Sequence, residues 1–242
     1  MDYKIQLEQK RIVRIHTVID FEKEVRIREK AFEIEKEIRD LFPHPATVFP
    51  VGEDEPEEIQ RLLFIANSGK CTFSQNRMSY VVFISEEKGK NLEQCFGEIN
   101  NNANSIFKVI KDLTGKDITS MGIISDVIVP LGEQGNAILY LQNTFFKFQC
   151  FNTSLTALDF HFAQQYNERY NINVVIRAQK SRSEQESDNL YISVDVNDYL
   201  DQRIKGIKSY DLDEINRVFA FEKELVISKL NNILKNQLDL EG

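Results

Sequence analysis

The sequence lacks the motifs by which the commonest enzyme classes are recognised. It contains none of the patterns GxGxxG, GxxxxGKS/T, HExxH or GxSxG, which indicate dinucleotide binding, phosphate binding, zinc proteolysis and a nucleophilic serine. We therefore expect no cofactor, and the sequence identifies no catalytic residue. The leading interpretation is a non-enzymatic protein.

Cysteine and histidine are both scarce, with three residues of each. Cysteines that are odd in number and far apart are typical neither of a disulfide framework nor of a tetrahedral zinc site, so we interpret them as reduced thiols in a cytoplasm. The histidines have no evident partner that would fix their tautomer, which favours structural or surface roles. The residues concerned are Cys71, Cys95, Cys150, His16, His44 and His161.

Long apolar runs and an excess of basic residues are missing as well. No stretch approaches the ~20 apolar residues of a membrane helix, and the N-terminus has no signal-peptide core. The 30 basic and 38 acidic residues give a formal net charge of −8, and a field of this sign repels nucleic acid and anionic membranes. We predict a cytoplasmic protein that binds neither. The only candidates for a basic patch on nucleic acid are Arg203, Lys205 and Lys208.

Three stretches have the apolar spacing of long amphipathic helices. They cover residues 21–42, 91–114 and 212–237. Asn91 with Gln94, and Asp211 with Glu214, have the spacing of capping boxes, and Gly115 predicts the end of the second helix.

Short runs with the period of two predict the strands. They cover residues 11–19, 61–66, 71–75, 80–85, 118–129, 155–163, 171–179 and 189–196. The segment 137–151 fits neither pattern clearly. The predicted fold class is therefore α+β, a largely antiparallel sheet covered by three long helices.

The same order of elements, a meander of strands followed by a long helix, occurs twice. Proline and glycine cluster at residues 130–135, so the predicted units are residues 1–130 and 131–242, either as separate units or within one compact domain. Internal duplication would explain the order. So would the general need of a meander for a covering helix, and the sequence leaves both open.

Two clusters are candidate binding sites. Asp195, Asp198 and Asp201 end a predicted strand, where carboxylates can bind a divalent cation, although Asp198 is equally placed to cap a short helix. The second cluster is aromatic, and alternation places its members on both faces of a strand, so that one pair needs another element or a second subunit. We predict that it binds a partner and forms a homodimer; its members are Phe145, Phe146, Phe148 and Phe151.

The run from RLLF at 61–64 through SG at 68–69 to YVVF at 80–83, followed by a helix, resembles an uncharacterised, sporadically distributed family of bacterial proteins of about 250 residues, close to the length of this chain. The resemblance implies an α+β fold and a cytoplasmic bacterial protein. It supplies no catalytic residues.

Two functions are consistent with these observations. The first is a non-enzymatic protein-interaction module that recognises its partner through sheet edges, the aromatic segment and loops. The alternative is a small-ligand-binding or enzymatic domain with a pocket between sheet and helix and with Asp195, Asp198 or His161 at its mouth. The biological process and the identity of the partner or ligand do not follow from the sequence.

Overall fold

The computed structural model describes residues 5–132, 136–146, 155–165, 170–179, 189–198 and 210–235. Its strands are β1 (Arg11–Phe21), β2 (Thr47–Val48), β3 (Leu62–Ala66), β4 (Gly69–Phe73), β5 (Arg77–Phe83), β6 (Ile118–Pro130), β7 (Ala157–Gln165), β8 (Tyr170–Gln179) and β9 (Asn189–Asp198). They form one nine-stranded sheet in the order β2-β3-β4-β5-β1-β6-β9-β8-β7, and every neighbouring pair is antiparallel. The α+β class and the antiparallel sheet are thus confirmed.

The α-helices are α1 (Ala31–Glu37), α2 (Glu86–Gly89), α3 (Leu92–Thr114), α4 (Ala137–Leu141), α5 (Leu212–Glu224) and α6 (Leu230–Leu234). Two π-helical segments extend α4 and join α5 to α6, namely Gln142–Phe146 and Leu225–Lys229. The prediction of three long helices is not confirmed, because within the described residues only α3 exceeds twenty residues.

Only the middle of the helix predicted over residues 21–42 is helical, from Ile27 to Glu37. β1 continues past its predicted end, because the Phe21 amide donates to the carbonyl of Asn76 and Asp20 pairs with Arg77 at 2.6 Å. The helical part shrinks to a 3₁₀ turn at Ile27–Lys30 and the seven residues of α1.

The capping predictions for the other two helices are confirmed. Asn91 Oδ1 accepts from the Gln94 amide at 3.1 Å, and Asp211 Oδ1 accepts from the Glu214 amide at 2.8 Å. Gly115 follows α3 with φ of 65°, the left-handed conformation that favours glycine.

The two faces of the sheet differ in burial. On β6, Ile123, Ser125 and Val127 are buried, whereas Ile124 and Asp126 between them are half-buried. Because paired residues on neighbouring strands lie on the same face, the strand register assigns every strand residue to one of these two faces. We call the face of Ile123 the covered face and the face of Ile124 the open face.

Helices α3, α4 and α5 lie on the covered face, where Glu222 of α5 faces Ser125 of β6. Asn102 of α3 donates to the Tyr80 hydroxyl of β5 at 3.2 Å. At the other end of the sheet, Phe145, in the π-helical segment after α4, stacks on Phe160 of β7 with ring centroids 4.5 Å apart. None of the described helices is both long and apolar enough to cross a bilayer.

β1 and β6 pair at the centre of the sheet and begin two similar series of elements. Each is a long strand followed by a short helix, a meander and a long helix, and the last strand of each meander returns to pair with the strand that began the series. This order places β6 with the second series, although the predicted boundary lies after it. The division into two units stays a prediction.

Candidate interaction surface

The centre of the open face carries polar side chains from three strands. His16 Nε2 on β1 lies 2.8 Å from Ser79 Oγ on β5, and Arg14 Nε lies 2.6 Å from Asp126 Oδ2 on β6. Burial, reinforced by the charge of Arg14, lowers the pKa of His16, so we infer a neutral imidazole at neutral pH.

The His16–Ser79 pair has the distance of a general base and its nucleophile. A triad needs in addition a carboxylate that orients the imidazole. The neighbouring Asp126 is instead ion-paired to Arg14. The arrangement therefore fits a hydrogen-bonded surface network better than a nucleophilic site.

Asp195 lies on the open face of β9, between two asparagines. Its Oδ2 accepts from Asn197 Nδ2 at 2.8 Å and from Asn173 Nδ2 at 3.3 Å. Burial raises the pKa of Asp195, and the two amides partly oppose that rise.

The other two residues of the predicted acidic cluster add no ligand that the structure describes. The backbone of Asp198 ends β9, and Asp201 lies outside the described residues. Within the described ranges, no group of three histidine, cysteine or acidic side chains is placed to hold a metal ion. The structure thus brings Asp195 together with amides.

Charges of opposite sign occupy the two halves of the open face. The half formed by β3, β4, β5 and β1 carries Arg11, Arg14, Lys70 and Arg77 against Asp20. The half formed by β6, β9, β8 and β7 carries Asp126, Asp159 and Asp195 against Arg177.

Several of these charges are already paired with each other. Besides Arg14 with Asp126, Arg77 pairs with Asp20, and Arg177 lies 3.6 Å from Asp159. Arg11 pairs with Glu86 of α2. Within the described residues, Lys70 has no carboxylate partner and Asp195 no cationic one. One uncompensated charge of each sign therefore remains, in opposite halves of the face.

Large apolar side chains are exposed on the same face. Ile65 on β3 is 50% exposed, Phe83 on β5 is 56% exposed and Tyr191 on β9 is 37% exposed. Exposed apolar groups set among paired charges are typical of a surface that contacts another protein.

The predicted aromatic segment is only partly described. Phe145 stacks on Phe160, and Phe146 meets the same ring edge-on at 6.1 Å, so both pack within the chain. Phe148 and Phe151 lie outside the described residues. Their predicted role in partner binding stays a prediction.

The remaining predicted residues are dispersed. Cys71 and Cys95 are buried, as expected of structural thiols, and burial raises the pKa of both. His44 and His161 are exposed. Cys150 and the basic candidates lie outside the described residues; the latter are Arg203, Lys205 and Lys208.

Sequence reasoning missed a buried acid. Glu222 of α5 is fully buried and faces Ser125 of β6, and burial raises its pKa well above the ordinary value. The spacing in the sequence does indicate that Glu222 is buried. It follows Phe219 by three residues and precedes Val226 by four, so it lies on the apolar stripe of the helix.

Comparison with protein-family models and comparison with curated proteins each give no match. The functional conclusions therefore rest on the geometry of the chain itself.

Proposed function

We propose that this chain is a non-enzymatic protein-interaction module that assembles as a homodimer through its open face. The observation that carries the proposal is the division of charge on that face, cationic on the β1 half and anionic on the β6 half. A surface of this kind is complementary to a second copy of itself. The cytoplasmic and bacterial assignments stay predictions.

A two-fold axis between β1 and β6, parallel to both strands, matches unlike halves. It places β1 over β6 of the second copy, β5 over β9 and β4 over β8. Lys70 on β4 then lies opposite the β8 and β9 strands, next to Asp195 of the other copy. Each interface contains this contact twice.

The area of the open face is sufficient for a stable dimer. Nine strands at about 4.8 Å spacing span about 38 Å, and a strand of seven residues, the length of β5, rises about 23 Å. The face therefore offers about 800 Å² per copy, the usual amount in specific interfaces. Because packed sheets twist, we expect the contact to concentrate on the central strands.

Charge exchange at Lys70 and Asp195 tests the proposal. The wild type should sediment as a dimer at about 50 µM, far above a micromolar dissociation constant. Lys70→Glu and Asp195→Lys should each weaken the dimer at least about tenfold, because each places like charges together. The double variant should restore it, since every copy then carries both exchanged charges.

Phe32→Ser and Phe83→Ser give a matched comparison that does not depend on charge. Phe32 lies on α1 and is 76% exposed, so its replacement should leave the dimer intact, whereas Phe83→Ser on the open face should weaken it. A wild type that is monomeric at the same concentration overturns the proposal. So does a dimer that survives both single charge changes.

A further inference from the structure

A cavity of about 410 Å³ lies between the end of β5 and the first half of α3. Its wall on the sheet side includes Tyr80, Val82 and Ile84, and its wall on the helix side includes Ile99 and Asn102. This volume lies in the range of small-molecule sites. It is far from the residues that the sequence placed at a pocket mouth, because those lie on the β6 half of the sheet.

The cavity has one fixed pair of polar groups. Asn102 Nδ2 donates to the Tyr80 hydroxyl oxygen at 3.2 Å, which leaves the Tyr80 proton free to donate and the Asn102 carbonyl free to accept. Tyr80 is 5% exposed, and burial raises the pKa of its phenol to about 12. The hydroxyl therefore stays protonated, and a donor and an acceptor stand side by side.

The other walls add no net charge, and their further polar side chains are the neutral Asn67, Ser68 and Ser85. Lys88 and Glu98 line the cavity as an ion pair with Nζ and Oε1 2.6 Å apart. The Cys95 thiol donates to the Lys88 carbonyl, and burial raises its pKa, so it stays protonated. These features favour a neutral ligand that is bound without covalent chemistry.

We infer that this cavity binds a small neutral ring that carries a carboxamide or lactam group. The ligand carbonyl accepts from the Tyr80 hydroxyl, and the ligand N–H donates to the Asn102 carbonyl. The ring packs between Val82, Ile84 and Ile99. The site shares Phe83 with the open face, because Phe83 also lines the cavity. Tyr80 and Asn102 lie on the covered side of the sheet and take no part in the proposed interface, so the two proposals are tested by different residues.

Titration of the full chain with benzamide and with 2-pyridone, followed by amide NMR shifts, tests the inference. Both probes should cause saturable shifts at Tyr80, Ile99 and Asn102 in the millimolar range expected of ligands of this size. Toluene, which has neither polar group, should bind more weakly. N,N-dimethylbenzamide keeps the carbonyl but has no N–H, and it should lose affinity as well.

Tyr80→Phe removes the donor with little change in volume and should weaken benzamide binding by about five- to tenfold. Tyr191→Phe, the same change on β9, is the matched control and should leave the affinity for benzamide unchanged. Thermal unfolding verifies that both variants fold. The inference is overturned if neither amide probe saturates, or if benzamide binds the Tyr80→Phe protein as tightly as the wild type.

Discussion

Glu222 is an acidic residue in a fully buried site, where its surroundings favour an uncharged side chain. Neither of its carboxylate oxygens has a well-formed hydrogen bond within the described residues, and Ser125, which it faces, only partly opposes the rise of its pKa. A charged carboxylate in such a site would be strongly destabilising, so the side chain is held in its neutral form.

The protonation of Glu222 links stability to pH. Its pKa is raised above 4.5 on folding, so between 4.5 and the folded pKa the native state binds more protons than the unfolded state. The contribution of Glu222 to stability is therefore complete below pH 4.5 and falls as pH rises, by up to about 1.4 kcal/mol per pH unit. Glu222→Gln should remove that slope, which urea unfolding at pH 5 and pH 8 measures.

Glu224→Gln is the matched control, because Glu224 is exposed two residues further along the same helix. Relative to the wild type, the Glu222→Gln protein should be stabilised more at pH 8 than at pH 5, and the control should show no such difference. Equal pH slopes in the wild type and the Glu222→Gln protein would show that Glu222 does not titrate in this way.

Other buried polar residues also escaped sequence reasoning. Arg61 is 1% exposed and donates to the carbonyl of Glu55 at 3.2 Å, and Gln75 is fully buried and donates to the carbonyl of Glu53 at 3.2 Å. Both anchor the acidic loop before β3. Their partners are backbone carbonyls of an irregular segment, which no periodicity of the sequence identifies.

At the scale of elements, the sequence predicted what local spacing determines. α3 was predicted within one residue, because its apolar stripe runs over six turns and both its ends carry caps. The helix at 21–42 was overpredicted because Ile27, Ile34 and Ile38 have helical spacing, and all three are indeed buried. Tertiary hydrogen bonds of the chain around Phe21 decided against a helix there.

The apolar stripe of α3 predicts how much stability the protein loses when a side chain at the middle of the stripe is shortened. Phe107 is 3% exposed and belongs to the main core, so Phe107→Ala should destabilise the protein by about 3–5 kcal/mol, through lost burial and a residual cavity. Phe32→Ala is the matched control on the exposed side of α1 and should cost little. Urea unfolding measures both, and an unchanged midpoint for Phe107→Ala would mean that α3 covers the sheet with another face.

The whole molecule depends on contacts that the sequence does not specify. β1 and β6 are about a hundred residues apart, and nothing in their composition indicates that they pair at the centre of one sheet. The open face was not predicted either, since its side chains come from eight strands and meet only after pairing. The two-unit order, by contrast, was visible from local patterns alone.

The central pair predicts how the chain unfolds. β1 and β6 share a ladder from Arg11 to Phe21. Between the helices, Oδ1 of Asn216 on α5 accepts from the Nδ2 atoms of Asn100 and Asn104 on α3 at 2.9 and 2.8 Å. Sheet and helices thus join the two series, and we expect one cooperative transition. In urea, NMR signals from β4 and β8 should lose intensity with the same midpoint.

Substitutions in either half give the decisive comparison. Phe107→Ala in α3 and Phe219→Ala in α5 each remove a buried ring, and in a cooperative molecule each should lower the β4 and β8 midpoints equally. Independent units would respond differently, because Phe219→Ala would lower only the β8 midpoint and Phe107→Ala only the β4 midpoint. That second result would establish the two series, which begin at β1 and at β6, as separately unfolding units and would require the β1–β6 ladder to open before either core.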